Sequence, residues 1–211
     1  HLAAQSGGES AYDNPKFDYL TNGYGTYLLS ILAEEINVKH FIYSSSVAVY
    51  GSNAKKKISE NSKIKPDSIY GISKYVGEMF IEQILYKSNV KTLIFRIFNT
   101  YGPRQSARAV IPTIIMQALS GQSIHLGNLT PTRDFNYVAD TVDGFLRMAE
   151  CPGALGQTIN IGSGKEISIG DLASLIVRLT GAKDVEIVTD SDRVRPEGSE
   201  VDRLCADNKK A

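Results

Sequence analysis

The chain has 211 residues, 42% of them apolar and 22% charged, an ordinary globular composition that excludes collagen, a disulfide scaffold and a low-complexity tail. Its 23 Lys and Arg balance 23 Asp and Glu, and with no basic block neither nucleic acid nor an anionic membrane surface is an expected partner. The two cysteines, Cys151 and Cys205, have neither metal-ligand nor framework spacing, so no metal is expected and a reducing, cytoplasmic setting is.

In chain order, His1-Leu2-Ala3-Ala4 reads as the end of a buried strand. Residues 15–36 read as a helix, with Phe17, Leu20, Tyr24, Leu28, Ile31 and Leu32 at helical spacing and Pro15 suited to the first turn. Residues 41–43 are a short buried strand, and 44–66 are loop-like. A second helix spans 68–87, with Ile72, Val76, Met79, Phe80 and Ile84 on one face, and 93–98 is another buried strand. Strands alternating with long helices predict an α/β fold with a parallel sheet. Beyond Pro103 the texture changes. Helices are predicted at 110–120 (closed by Gly121), 140–150 and 169–180, and short strands at 123–126, 135–138, 158–161 and 185–188. A soft boundary near 103 separates residues 1–103 from a smaller mixed α/β lobe over 104–211. No apolar run approaches the roughly 20 residues of a membrane span. Residues 207–211 read as the start of a helix, and with the strand-like opening they make the chain read as an internal piece of a longer protein.

Tyr70 and Lys74 form a Tyr-x-x-x-Lys pair near the start of the second helix, and a spacing of four puts both on one face. A nearby ammonium favours the phenolate and lowers a tyrosine from its usual value of about 10, which makes a general base near neutral pH. Alone the pair is weak, because both residue types are common on helix surfaces. Ser44-Ser45-Ser46 strengthens it. This run directly follows an apolar strand, and a hydroxyl at a strand's C-terminal end sits where open α/β sheets bind ligands.

The run Tyr43-Ser44-Ser45-Ser46-Val47-Ala48-Val49-Tyr50-Gly51, followed by Tyr70-Gly71-Ile72-Ser73-Lys74, closely resembles the extended short-chain dehydrogenase/reductase family, and more narrowly its NAD-dependent nucleotide-sugar epimerases and dehydratases. The likeness spans the chain: His1-Leu2-Ala3-Ala4-Gln5, Asn22-Gly23-Tyr24-Gly25-Thr26, Arg96-Ile97-Phe98-Asn99-Thr100-Tyr101-Gly102-Pro103-Arg104, Arg133-Asp134-Phe135-Asn136-Tyr137-Val138, Asn160-Ile161-Gly162-Ser163 and Arg195-Pro196 all match family segments. The resemblance implies a Rossmann-like parallel sheet without its N-terminal strands over 1–103, and mostly a nucleotide-sugar lobe over 104–211. It implies NAD as cofactor and a nucleotide-diphosphate sugar as substrate. Tyr70 is then the base, Lys74 binds the nicotinamide ribose, and Ser46 bonds the reacting oxygen. Ala3, Ala4, Ser44 and Phe98 lie by the cofactor, and Asn99, Arg133 and Arg195 take the nucleotide and its phosphates, a task that suits arginine's planar fork. The helices over 15–36 and 68–87 resemble those that pair in the family's homodimers.

Read without the family, Asn99 is a turn residue, Arg133 and Arg195 are solvated charges, and Asn22 bonds backbone within its own helix. His40 and His125, far from any Cys or carboxylate cluster, are structural. Gly162-Ser163-Gly164 looks like a phosphate loop but reads better as a strand-to-helix connection.

Two departures matter. The Gly-x-x-Gly-x-x-Gly fingerprint is absent, which reads as truncation and predicts weak NAD binding by this piece alone. Where the 4,6-dehydratases typically carry an acid before Val-Tyr-Gly, this chain has Val47 and Ala48, and neither can move a proton. That segment resembles the 4-epimerases. Residues 99–115, Pro131-Thr132-Arg133-Asp134-Phe135 and residues 195–209 instead resemble dehydratases of the legionaminic acid pathway. Because the serine segment limits the chemistry, a C4 epimerase is the expected activity, with dehydratase as the alternative. A non-catalytic sugar-nucleotide binder is disfavoured by the intact Ser46, Tyr70 and Lys74.

Overall fold

A computed structural model describes residues 1–52, 56–121, 123–194 and 201–211. In chain order a short helix α1 (Gly8–Asp13) leads into α2 (Pro15–Asp18), a π-helical turn (Tyr19–Tyr24) and α3 (Gly25–Glu35). Then come β1 (His40–Ser46), a 3-10 turn (Val47–Tyr50), α4 (Ile69–Leu85), β2 (Lys91–Ile97) and β3 (Asn99–Tyr101). The second half carries α5 (Val110–Leu119), β4 (Ile124–Leu126), β5 (Thr132–Arg133), β6 (Phe135–Tyr137), α6 (Val138–Glu150), β7 (Gln157–Ile161), β8 (Ile167–Ser168), α7 (Ile169–Thr180), β9 (Ile187–Thr189) and β10 (Arg203–Leu204).

The main sheet is parallel, in the order β1-β2-β7. Its central strand buries Leu93, Ile94 and Phe95 in succession, as a strand covered on both faces must. One face packs Tyr43 and Ile94 against Ile81 and Leu85 of α4. The other packs Leu93, Phe95, Ile159 and Ile161 against Phe145 of α6, with the Phe95 and Phe145 rings edge to face at 4.4 Å. Helices on both faces of a parallel sheet make this the expected Rossmann-like α/β arrangement. A separate core joins Ile111, Ile114 and Ala118 of α5 to Leu172, Ala173 and Ile176 of α7 over Ile124 and Leu126. Helix α7 starts on Ser168, whose Oγ accepts from Asp171 N at 3.0 Å, and stops at Gly181 in a left-handed cap with φ 69°.

Two expectations are corrected. His1 alone keeps strand-like pairing: its nitrogen donates to Ile42 O at 2.7 Å and its carbonyl accepts from Ser44 N at 3.2 Å. Leu2, Ala3 and Ala4 are exposed, not buried. Residues 207–211 form no helix; an extended tail there places Lys210 Nζ 2.7 Å from Thr158 O. Among the described residues no helix is long and apolar enough to cross a membrane.

The two long helical runs bury their polar side. Asp18, Asn22, Thr26 and Ser30 face inward at a spacing of four, as do Lys74 and Glu78 of α4. The apolar stripe of Leu20, Tyr24, Leu28 and Leu32 looks outward instead, and Ile72 and Met79 of α4 are exposed as well.

Candidate active site

Ser46 ends β1 and caps the 3-10 turn, accepting from Ala48 N at 3.2 Å. Helix α4 starts one residue after Ser68, whose Oγ accepts from Gly71 N at 3.1 Å. A Cβ on Gly71 would fall 2.5 Å from Ala48 O, closer than carbon and oxygen can approach. Glycine there lets the first turn of α4 press onto the 3-10 turn. That contact brings Tyr70 into the neighbourhood of Ser46, whose hydroxyl acts on the phenol.

Tyr70 is half-buried, and burial pushes its phenol above the ordinary tyrosine value. The Ser46 hydroxyl opposes this shift, and the negative charge of Asp18 adds to it. The expectation of a lowered tyrosine is therefore corrected: desolvation outweighs the help available from neighbours. Lys74, one turn on, is buried, with its ammonium 4.7 Å from the Tyr43 ring centroid. Burial depresses the amine to about 8, while Asp18 and Glu78 hold it up.

Asn22 fixes the segment before α1. Its Oδ1 accepts from Gln5 N at 2.9 Å, and its Nδ2 lies 3.0 Å from Gln5 O. The same Nδ2 is 3.2 Å from both Asp18 Oδ1 and Ser73 Oγ. Asn22 thus bonds another segment's backbone with its side chain, not its own helix. Ala3 and Ala4 lie between His1, paired to β1, and Gln5, held by Asn22, and expose nothing larger than a methyl group. Ser44 lies half-buried on β1.

Register brings the end of β2 to the same place, with Ile97 opposite Ser46. Phe98 and Asn99 follow directly. Phe98 is a core residue, packed with Val47, Val49, Tyr50, Ile58 and Ala206. Asn99 is half-buried on β3, not in a turn. Arg133 lies on β5 in the small sheet β10-β5-β8. It is buried, with Nη1 donating to Thr132 O at 2.9 Å, and is no solvated charge. Arg195 lies outside the described residues. Val47 is buried and Ala48 half-buried beside Ser46.

Sequence reasoning missed a buried network behind the site. Arg96 of β2 holds Glu78 with Nη2 at 2.6 Å and Nε at 3.0 Å, and Ser45 donates to the same carboxylate. Arg96 Nη1 donates to Tyr50 OH at 2.9 Å, which donates to Asn160 Oδ1 at 2.8 Å. An arginine inside the apolar run 93–98 was the available signal, since a buried charge demands a partner. The Gly162-Ser163-Gly164 turn is a structural connection. Its N–H groups on Ser163 and Gly164 donate to buried Asp134 at 2.8 and 2.9 Å, so a phosphate would have to displace that carboxylate. Among the described residues no group of three or more His, Cys, Asp or Glu could hold a metal.

The family model described as GDP-mannose 4,6 dehydratase matches residues 1–211. The chain belongs to that family. Its place among the extended short-chain dehydrogenase/reductases that act on nucleotide sugars is the one its motifs resemble. The human dTDP-D-glucose 4,6-dehydratase is 35% identical over 182 residues, 85% of this chain and 51% of the relative. The solved UDP-glucose 4-epimerase of Thermotoga maritima, with UDP-glucose, superposes with a TM-score of 0.91 at 32% identity, over 100% of this chain and 68% of that one. The Bacillus cereus UDP-glucuronic acid 4-epimerase, in complex with UDP-glucuronic acid and NAD, gives 0.90 at 28% identity, over 100% and 66%. The chain thus spans about half the length of the human relative.

Proposed function

We propose that the protein containing this chain is an NAD-dependent nucleotide-sugar 4-epimerase. The observation that carries the reading is the first turn of α4, with Tyr70 and Lys74 one helical turn apart, pressed onto the turn that Ser46 caps, beside a Val47-Ala48 pair that has no proton to give. Likeness to the Thermotoga and Bacillus 4-epimerases supports it. The residues present fit the nicotinamide end of NAD: a buried ammonium able to donate to ribose hydroxyls, and bare methyl groups at Ala3 and Ala4 that admit close approach. Ser44 and Phe98 lie along the same strand ends. When bound, the cofactor would accept a hydride from the sugar and return it.

Tyr70 takes the proton of the C4 hydroxyl and later gives it back, and Ser46 holds the same oxygen. Lys74 donates to the cofactor ribose and favours the phenolate against the burial that opposes it. Asn99, Arg133 and Arg195 bind the nucleotide diphosphate. Epimerisation needs the keto sugar to present its other face between the two transfers. Elimination of water would need a further acid and base, and Val47 and Ala48 supply none.

The test is product mass. The full-length protein is incubated with NAD and a panel of uridine-, guanosine- and thymidine-diphosphate sugars. A product of shifted retention and unchanged mass is expected. A product lighter by one water would make it a dehydratase, in line with the human relative and with residues 99–115. Tight binding of a sugar nucleotide without turnover would make it a non-catalytic binder. We further propose a homodimer through the outward apolar stripes of the two long helices. A cytoplasmic setting suits two free cysteines.

A further inference from the structure

Asp18 is fully buried at the end of α2, where the chain enters the π-helical turn. Its Oδ1 has one long bond, 3.2 Å from Asn22 Nδ2. Its Oδ2 is buried with no hydrogen-bond partner among the described residues. A half-satisfied carboxylate out of water is costly unless a cation stands near it.

The titratable groups facing this region come from every element packed there: Tyr70, Lys74 and Glu78 of α4, Tyr43 of β1, and the amine of His1 beside β1. Glu78 is committed to Arg96 and Ser45. Lys74 is buried over an aromatic ring. Asn22 bolts the acid to the right turn, since its Nδ2 reaches Asp18 and also Ser73, the neighbour of Lys74, whose Oγ donates to Tyr70 O at 3.0 Å. The π turn starts at the residue after Asp18, and such turns recur at functional sites.

We infer that Asp18 is the buried counter-charge of the Lys74 ammonium, a positioning residue that acts on the site through Lys74. The electrostatics agree, because Asp18 is the larger of two carboxylate influences that hold the Lys74 amine up against burial. Without Asp18 the amine titrates lower, and near pH 8 Lys74 loses the charge it needs. Oδ2 makes no hydrogen bond to Lys74, so Asp18 acts across a gap; that influence does not depend on the proposed reaction, and only its catalytic consequence rests on that reading.

The first test needs no cofactor or substrate. In lysine-labelled protein the Lys74 side-chain NMR signal, assigned with Lys74→Arg, is titrated. The midpoint is expected near 8 in the parent chain, lower in Asp18→Asn, and restored toward the parent in Asp18→Glu. An unchanged midpoint in folded Asp18→Asn overturns the inference, as does a drop seen only in Glu78→Gln. If Asp18→Asn does not fold, the parent chain labelled at aspartate Cγ answers. The Asp18 carboxyl shift is expected to step at the Lys74 midpoint, and a flat trace there overturns the pairing. In full-length enzyme, Asp18→Asn is expected to move the alkaline limb of kcat to lower pH, with kcat at pH 8 down about tenfold and KM little changed. A full-length protein with no turnover, but with the NMR shift intact, rejects the enzyme reading and keeps the counter-charge.

Discussion

At Tyr70 burial and the influence of the Ser46 hydroxyl oppose each other, and burial wins. The Ser46 hydroxyl is the neighbouring group that pulls the phenol down. Removing it with Ser46→Ala should therefore raise the Tyr70 titration further, read as tyrosinate absorbance with Tyr70→Phe as the blank. In full-length enzyme the same change should lower turnover roughly 10²-fold, at the low end of the general-base range, with most of the loss in kcat. An unshifted tyrosinate curve would mean that Ser46 does not support the phenolate. The sequence made Tyr70, Lys74 and Ser46 legible because spacing and strand position are written in it. The sign of the Tyr70 shift was not, because burial comes from the contact of α4 with the 3-10 turn. Asp18 was invisible for a related reason. A carboxylate four residues before Asn22 looks like any solvated helix residue until the fold turns that face inward. Arg133 misled in the same way, as its burial depends on a two-residue strand that no periodicity announces.

Among the elements, α4 carries the most function per turn. Its buried side runs through Gly71, Lys74, Gly77, Glu78, Ile81 and Leu85, so the lysine proposed to hold the cofactor and the acid that anchors Arg96 share one stripe with the core. Gly77 is small because a Cβ would stand 2.5 Å from Tyr43 OH, and Tyr43 is itself buried with its ring under Lys74. Gly77→Ala should destabilise the fold by about 1–3 kcal/mol, the usual range for overpacking, despite alanine's better helix propensity of about 1 kcal/mol. Urea unfolding would measure it, and a gain in stability would show that the contact yields. Behind the stripe, Arg96→Met leaves Glu78 buried without its cation and should cost about 3–5 kcal/mol. The double change Glu78→Leu with Arg96→Met should recover much of that loss, because two matched apolar side chains need no partner. A double variant as unstable as the single would mean that Ser45 and Tyr50 depend on the pair. Helices and apolar strands were legible to within a few residues: α7 spans the predicted 169–180, and β1 extends the predicted 41–43 at both ends. The π turn and the strands β5, β8 and β10 were not, since two residues carry no period and a single wider π turn is too short to show its own.

For the whole molecule, the decisive feature is that the long helices are inverted. Leu20, Tyr24, Leu28, Leu32, Ile72 and Met79 are each 44–50% exposed, while Asp18, Asn22, Thr26, Ser30, Lys74 and Glu78 are buried. A contiguous apolar stripe on a soluble surface marks an interaction site, and one stripe facing its own copy closes a twofold dimer without leaving a free face. The inward polar side is then explained together with the outward apolar one. The proposed site uses charged groups on the buried side of α4, and the exposed apolar residues lie opposite. Leu28, near the middle of the α3 stripe, is the position to test. In the proposed dimer Leu28→Asp puts a carboxylate into the interface and should convert a dimer at tens of micromolar into a monomer. Light scattering would read the mass and circular dichroism the retained helix content. Since Leu28 is half-exposed in one protomer, the substitution removes little of the core, and the folded monomer should keep nearly its full stability. A parent protein that is already monomeric at that concentration would leave the stripe without its proposed occupant, and the pairing of the two long helices would have to be abandoned.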